Sequence, residues 1–363
     1  MSGDTNLNKL REEIDKLDKQ LIDVLNARAR VSLDVGRWKS ERDEPIYAPF
    51  REKEVMDRIA GGNPGPLPEK HLRSIYREIM SSSRRLQRPE RTVYLGPEGT
   101  FSHVAALTHM GHSQHLTPKD NFEDIFRAVA DEGAELGVVP LENSLEGTVG
   151  QVVDLFMKYP VFIQSELYVR ISHSLMSRAE SLDEISEVHS HTQPLEQCRD
   201  WLNTHLKGVP RFTADSTAAA AKVAAQRPNA AVVGHEQLAE LHDLNVLSSR
   251  IEDHPDNWTR FLVIGPSPSR EERRDKTSIL FTLPDRPGSL AGVLNTLAGR
   301  GINMTKLESR PFRGEKWKYV FFTDLECDLS TSGYESMLNM LREQCHTLRV
   351  LGTYPAAPKG TEV

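Results

Sequence analysis

Residues 92–102 read Thr92-Val93-Tyr94-Leu95-Gly96-Pro97-Glu98-Gly99-Thr100-Phe101-Ser102. A short β-rich run passes through a polar, glycine-containing turn into a helix start. The same order returns three times downstream. Leu136–Pro140 leads to Glu142-Asn143-Ser144-Leu145-Glu146-Gly147-Thr148. Glu187–His189 leads to Ser190-His191-Thr192-Gln193, and Phe212–Thr213 to Asp215-Ser216-Thr217. Strands alternating with helices imply an α/β domain, placed over residues 91–267. The N–H groups at such helix starts are free to hold an anion. Each loop alone reads first as an ordinary helix cap. Four of them in one domain point to a shared anion site.

The run Pro266-Ser267-Pro268-Ser269 opens a linker. Beyond it, residues 276–354 predict strand (278–283), helix (289–300), strand (302–310), strand (Trp317–Leu325), helix (332–344) and strand (347–353). That order is βαββαβ, a ferredoxin-like module. The tail from Pro355 reads as disordered.

Residues 1–90 read as all-helical. Leu7, Leu10, Ile14, Leu17, Leu21, Val24, Val31, Val35 and Trp38 follow a 3-4 spacing with no proline before Pro45, which predicts one helix of roughly 33–36 residues. Pro49 suits the first turn of a second helix that stops at Gly61-Gly62. A third runs from about Pro68 to Gln87, with a seam of Leu72, Ile75, Tyr76 and Ile79. Polar residues continue these seams: Arg28 and Lys39 on the first helix, Ser83 and Gln87 on the third. Glu52 adds a carboxylate from the second. Inward-facing Arg, Lys, Glu, Ser and Gln make a polar pocket suited to a small anion, although Arg28 alone reads equally as half of a salt bridge. Arg11 lies 17 residues before Arg28, roughly 25 Å along the helix. It can reach the same ligand only from a second, antiparallel copy, which favours a dimer.

The chain has 363 residues, 38% hydrophobic and 27% charged, with a net charge of −7. Length alone predicts two or three domains. Residues 1–91 carry 19 Lys+Arg against 16 Asp+Glu, net +3, and the remainder carries −10. The acidic balance makes general nucleic-acid binding a poor expectation, and no apolar run is long enough to span a membrane. The N-terminus shows no signal core, and three separated cysteines suit a reducing cytoplasm. His109, His112 and His115 recur every three residues, but glycine breaks the helix at Gly111 and no cysteine or acid completes a metal set. Ser190-His191 resembles a nucleophile–base pair, yet adjacent residues rarely meet that way.

Residues 8–90 resemble the all-helical chorismate mutase family, an intertwined dimer, at Arg11, Arg28, Lys39, Arg51, Glu52, Ser83 and Gln87. The resemblance implies that Arg11 from the partner chain and Arg28 hold two carboxylates. It places Lys39 and Gln87 at the ether oxygen and Glu52 at the ring hydroxyl, with Arg51 and Ser83 binding substrate. Some members carry an aspartate where Ala48 stands here, which leaves Glu52 more of the hydroxyl contact.

Residues 91–265 resemble the prephenate dehydratase family, whose fold is two α/β lobes around a cleft, like a periplasmic binding protein. The matching runs are Gly96–Ser102, Val139–Ser144, Ser190-His191-Thr192-Gln193-Pro194 and Asn257-Trp258-Thr259-Arg260-Phe261. The third run departs slightly, with Thr192 where the family often has proline. The resemblance implies Thr259 as the catalytic residue. Arg260 either binds a carboxylate or pairs with an acid. Thr100, Ser102, Asn143, Ser144, Thr148, Ser190, Gln197, Ser216, Thr217 and Phe261 are further candidates for substrate binding.

Residues 276–354 resemble the ACT family of small-molecule sensors through Pro287-Gly288-Ser289-Leu290-Ala291, Asn303 and Glu308-Ser309-Arg310-Pro311. The resemblance implies a phenylalanine site at a dimer interface, using Gly288, Ser289, Leu290, Asn303, Glu308, Ser309 and Arg310. The first motif reads Gly-Ser-Leu-Ala where Gly-Ala-Leu-Val is common.

The three resemblances imply a bifunctional enzyme without metal or cofactor, converting chorismate through prephenate to phenylpyruvate under feedback by phenylalanine. Its partners are these small molecules and further copies of itself, not nucleic acid or membrane. Two alternatives stand beside it: a dehydratase with a helical dimerisation domain, and a non-catalytic ligand sensor.

Overall fold

The computed structural model describes residues 2–269, 275–311 and 319–357. The first unit is three helices, α1 (Ser2–Ser40), α2 (Pro49–Gly61) and α3 (Glu69–Gln87). The first is 39 residues long, longer than the periodicity suggested, since it continues upstream of Leu7 to Ser2. Its seam has no cover within one chain. The nine seam residues from Leu7 to Trp38 are 41–65% exposed, and every side chain from residue 6 to 24 is exposed.

Of the expected seam of α3, Leu72, Tyr76 and Ile79 are half-buried and Ile75 is exposed, while the best-buried residues are Met80, Ser81, Ser83 and Arg84. The C-terminal half of α3 packs on the next domain, so the best-covered face is the one turned to that neighbour. Gln114 Nε2 donates to the Ser81 carbonyl at 2.7 Å there.

The second unit has two lobes. Lobe one contains β1 (Arg91–Leu95), α4 (Phe101–Met110), β2 (His115–Lys119), α5 (Phe122–Ala130), β3 (Leu136–Asn143), β4 (Gly147–Thr148), α6 (Gly150–Lys158) and β5 (Phe162–Arg170). The chain then crosses to lobe two, made of β6 (Ser174–Ser177), β7 (Glu187–Ser190), α7 (Thr192–Gln197), α8 (Arg199–His205), β8 (Arg211–Thr213), α9 (Thr217–Gln226), β9 (Ala230–Gly234), α10 (Gln237–His242) and β10 (Asn245–Ser248). It returns to lobe one as β11 (Trp258–Gly265). Lobe one has strand order β2-β1-β3-β11-β5, and lobe two β10-β6-β9-β7-β8. The two crossings pair with each other: Ile171 N donates to Asn257 O at 2.8 Å and Ile251 N to His173 O at 2.9 Å.

The third unit is β12 (Lys276–Thr282), α11 (Ser289–Ala298), β13 (Met304–Pro311), β14 (Tyr319–Leu325), α12 (Glu335–Gln344) and β15 (Thr347–Tyr354). The antiparallel order β13-β14-β12-β15 is that of a ferredoxin-like sheet. The predicted strand start at Trp317 lies outside the described residues. The tail expected to be disordered from Pro355 is held as far as Ala357, whose N donates to Glu166 at 3.0 Å; residues 358–363 lie outside the described residues.

Both faces of this third sheet are covered. Ile279 and Phe281 pack on α11 and α12 with Val293, Leu297 and Met337. Leu280, Val320, Phe322, Leu351 and Tyr354 share one core with Phe126, Val139, Phe156 and Ile163 of lobe one. All seven residues of β12 are therefore buried. The contact is close, since a Cβ on Gly352 would collide with the Ile163 carbonyl.

Glu90, between α3 and β1, is 4% exposed. Burial pushes its pKa up to about 7, against the pull of Arg84 and Arg88. The folded value exceeds the unfolded one, so the folded state keeps a proton that the unfolded state loses above about pH 4.5. Stability therefore falls as pH rises through this window and levels off above pH 7. Glu90→Gln should raise stability at pH 8 by up to about 3 kcal/mol and leave it nearly unchanged at pH 4. Melting curves at the two pH values check this.

Candidate functional site

In the helical unit, α1 and α3 bring Arg28 and Ser83 together, with the guanidinium donating to Oγ. Lys39 Nζ donates to the carbonyls of Pro45 at 2.9 Å and Ile46 at 3.0 Å. Gln87 Oε1 is buried without a partner. Glu52 is engaged by Arg84, whose guanidinium also donates to the Met110 carbonyl. Arg84 is 4% exposed and was not singled out by sequence, because its acid is 32 residues away. Ala48 caps α2 without a side-chain hydrogen bond. Arg51 turns outward to Glu54 at 3.1 Å, and Arg11 is exposed on the free length of α1. One chain thus assembles Arg28 and Ser83 between its helices and leaves Arg11 apart.

In the two-lobed unit, Asn143 and Thr259 lie opposite each other on β3 and β11. Asn143 Nδ2 donates to Thr259 Oγ1 at 2.9 Å and to Asn257 Oδ1 at 2.7 Å. Its Oδ1 accepts from Leu145 N at 2.9 Å and Glu146 N at 3.1 Å. Every hydrogen-bonding site on Asn143 is therefore used, and its orientation is set. Thr259 accepts through Oγ1, and among the described residues its hydroxyl donates to nothing. Ser144 Oγ accepts from Trp258 N at 2.9 Å.

The turn after Asn143 bridges the lobes. Glu146 Oε1 accepts from Gln193 Nε2 at 2.5 Å and Gln197 Nε2 at 3.1 Å. Gln197 Oε1 is 2.8 Å from His173 Nε2. Phe101 stands edge-on to both His173 and His235, at 5.4 and 5.5 Å between ring centres. Burial lowers both imidazole pKa values, that of His235 to about 4, so both are neutral near pH 7. His173, His235, Glu146 and Asn257 were not proposed as site residues from sequence, since only the folded crossings bring them to this place.

The remaining loop residues divide. Thr100 Oγ1 caps α4, accepting from His103 N at 3.3 Å, and donates to Leu95 O at 3.1 Å. Ser216 Oγ caps α9, accepting from Ala219 N at 3.0 Å. Thr217 opens that helix. Ser102 is buried on α4, and Ser190 Oγ donates to Val233 O at 2.6 Å within the sheet. Thr148 Oγ1 accepts from Lys306 of the C-terminal sheet at 3.0 Å.

One expectation is corrected: Phe261 is 1% exposed and packs in the lobe-one core with Tyr94, Val138 and Leu167. Arg260 is 2% exposed and pairs with acids, the second of the two readings open for it. Its guanidinium meets Asp324 at 2.5 Å, Glu166 at 2.7 Å and Glu142 at 3.3 Å, with Tyr354 Oη at 3.1 Å. Lys276 joins Glu166 at 2.8 Å. Burial alone would lower the Arg260 pKa, and Tyr354, Asp324 and Glu166 outweigh it. Side chains alternate faces along a strand, so Arg260 and Glu142 point to the C-terminal sheet while Thr259 and Asn143 point away. Arg260→Met would leave the buried carboxylates of Glu166 and Asp324 with Lys276 as their one remaining cation among the described residues. It should cost about 3–5 kcal/mol, read by calorimetry as a melting point lower by roughly 10 °C.

On the C-terminal sheet, Leu283, Pro284, Asp285, Arg286, Ser289 and Leu290 with Tyr319 and Phe321 line a cavity of about 170 Å³. Gly288 precedes α11 with φ +84°. Asn303 lies apart, its Nδ2 donating to Glu326 at 2.7 Å. Glu308, Ser309 and Arg310 lie along β13 and do not line that cavity. The three histidines also separate: His109 is 2.6 Å from Tyr47 Oη and His112 is 2.9 Å from Glu78.

Three family models match the chain in this order: chorismate mutase type II over residues 10–88, prephenate dehydratase over 92–269 and the ACT domain over 277–333. The bifunctional chorismate mutase/prephenate dehydratase of Aquifex aeolicus is 40% identical over 355 residues, covering 97% of this chain and 98% of its own. That of Pseudomonas aeruginosa is 39% identical over 363 residues, covering 98% and 100%. Among solved structures, the prephenate dehydratase of Arthrobacter aurescens in complex with L-Phe is 31% identical with a TM-score of 0.67, covering 73% of this chain and 90% of that one.

Proposed function

The chain belongs to the bifunctional chorismate mutase/prephenate dehydratase family, and from that premise we propose how its residues divide two reactions and their control. It isomerises chorismate to prephenate, and converts prephenate to phenylpyruvate, with phenylalanine as regulator. We assign the mutase to residues 1–90, the dehydratase to 91–267 and regulation to 276–354.

The mutase step is a unimolecular rearrangement that needs no nucleophile. Restriction of conformation and preset charge suffice. Arg28 and Arg11 of the partner subunit hold the two carboxylates. Lys39 and Gln87 face the ether oxygen, and Glu52 faces the hydroxyl. The uncovered seam of α1 supports a homodimer or higher oligomer, since a stripe this long and apolar needs a second copy to cover it.

The dehydratase step expels carbon dioxide and the ring hydroxyl together as the ring becomes aromatic. The hydroxyl leaves as water only if it receives a proton. The observation that carries the assignment is the Asn143–Thr259 hydrogen bond. Asn143 occupies the acceptor side of the threonine, so the O–H is left to donate to the departing oxygen. The turn tip at Glu146, meeting Gln193 and Gln197, closes the space around it. Phenylalanine binds at the Ser289–Leu290 cavity, with Asn303 and Glu308–Arg310 completing the site across a subunit interface. The enzyme works in the cytoplasm.

The test is purified protein with chorismate, following prephenate and phenylpyruvate with and without phenylalanine. Both products should form in sequence, and phenylalanine should slow the second. Prephenate accumulating without phenylpyruvate would sink the dehydratase assignment.

A further inference from the structure

The C-terminal strand β13 alternates between half-buried Met304, Lys306, Glu308 and Arg310 and exposed Thr305, Leu307, Ser309 and Pro311. Met304 packs with the core under α11 and α12, whereas Lys306 and Arg310 lie on the dehydratase segment from Glu142 to Gly150. Lys306 Nζ donates to the Glu142 carboxylate and, at 3.0 Å, to Thr148 Oγ1. Glu142 and Thr148 are cross-strand partners at the open end of the β3–β4 hairpin. One ammonium from another domain therefore joins both legs of that hairpin. Two residues on, Gly150 has no room for a Cβ, because the Arg310 guanidinium lies there.

The hairpin is short. Asn143 and Gly147 form the next pair, and Ser144–Glu146 are its tip. A strand pair this small is marginal without outside support. Yet Asn143 on one leg orients Thr259, and Glu146 at the tip reaches Gln193 and Gln197 of lobe two. The support comes from below: Arg260 on one side of Glu142 and Lys306 on the other.

We propose that Lys306 is a positioning residue for the dehydratase reaction, a cation lent by the C-terminal sheet that clips the Glu142–Thr148 hairpin and so sets Asn143 against Thr259. It acts through Glu142 and Thr148 and touches no reacting atom. The inference rests on the reading that Thr259 and Asn143 stand at the dehydratase centre. Misplacing such a pair by about 1 Å can cost 10²-fold in rate, and substrate carboxylates held elsewhere keep KM nearly unchanged. Loss of the clip therefore shows in kcat.

The experiment uses the full chain with prephenate, comparing wild type, Lys306→Met, Lys306→Arg, Glu142→Gln and the Lys306→Met/Glu142→Gln double variant. Lys306→Met should lower dehydratase kcat at least tenfold with KM within about threefold. Lys306→Arg should recover most of the loss. The double variant should fall no further than the worse single one, because both remove one clip. Mutase activity in the same preparations reports folding. Lys306→Met within twofold of wild-type kcat, or effects that multiply in the double variant, would overturn the proposal. Thr259→Val run alongside separates the two failures: if it too is fully active, the site reading has failed, and if it is dead, only the clip has. Should Lys306→Met not fold, Thr148→Val removes one acceptor alone. A kcat loss of about threefold then supports the clip, and an unchanged kcat refutes it.

Discussion

Thr259→Val is expected to lower dehydratase kcat by about 10³-fold while chorismate mutase activity stays within twofold of wild type. Valine keeps the shape of threonine and removes only the hydroxyl. Asn143 Nδ2 then loses one acceptor but keeps Asn257 at 2.7 Å, so the strand pair stays in register. What disappears is a hydroxyl that is fixed on its acceptor side and, among the described residues, free on its donor side. Steady-state kinetics on prephenate check the prediction. Because the group is assigned to the leaving oxygen, KM should move little. Thr259→Ser, which restores a hydroxyl, should return much of the rate.

Arg28→Ala should have the opposite selectivity, losing about 10³-fold in mutase kcat/KM and sparing the dehydratase. The guanidinium is half-buried beside Ser83, where a paired carboxylate is worth more than at an open surface. A mixing experiment extends the test. Arg11→Ala and Arg28→Ala should each be inactive as mutases. If two subunits share each site, mixing and subunit exchange should restore about one quarter of wild-type activity, because half the dimers are mixed and carry one intact site of two. No recovery on mixing would show that Arg11 acts within its own chain or not at all.

Much of this architecture can be read from local patterns. The breaker run after Gly61 ends α2 where it was expected. Three of the four strand–loop–helix units fold as such; in the second, the stretch Glu142–Thr148 read as a loop is instead the β3–β4 hairpin before α6, and the C-terminal order of elements matches strand for strand. Site legibility was poorer, and Arg260 shows why. Its neighbour Thr259 and its own charge suggest a substrate contact, but its partners Asp324 and Tyr354 lie 64 and 94 residues further on. Whether a buried arginine meets a ligand or an acid depends on which sheet packs against its strand, and no local spacing carries that. Glu52 met the same limit through Arg84. Thr100 and Ser216 are instead helix caps, the plainer of the two readings open for such loops. The topology of the two lobes was equally hidden, since it rests on β11 returning from lobe two to lie between β3 and β5.

The shared core of lobe one and the C-terminal sheet assigns the mechanical roles in this molecule. With Leu280, Phe322 and Tyr354 interleaved among Phe126, Phe156 and Ile163, and Arg260 pinned to Asp324 beneath them, those two parts act as a fixed stator. Lobe two is joined to it by a pair of crossing strands, by the Glu146 latch and by Phe101 against His173 and His235. An opening that admits prephenate or releases phenylpyruvate is then expected as a swing of lobe two against the stator, about Ile171–His173 and Ile251–Asn257. A regulator bound to the C-terminal sheet works on the stator's side of the gap, and reaches the moving part through those few links.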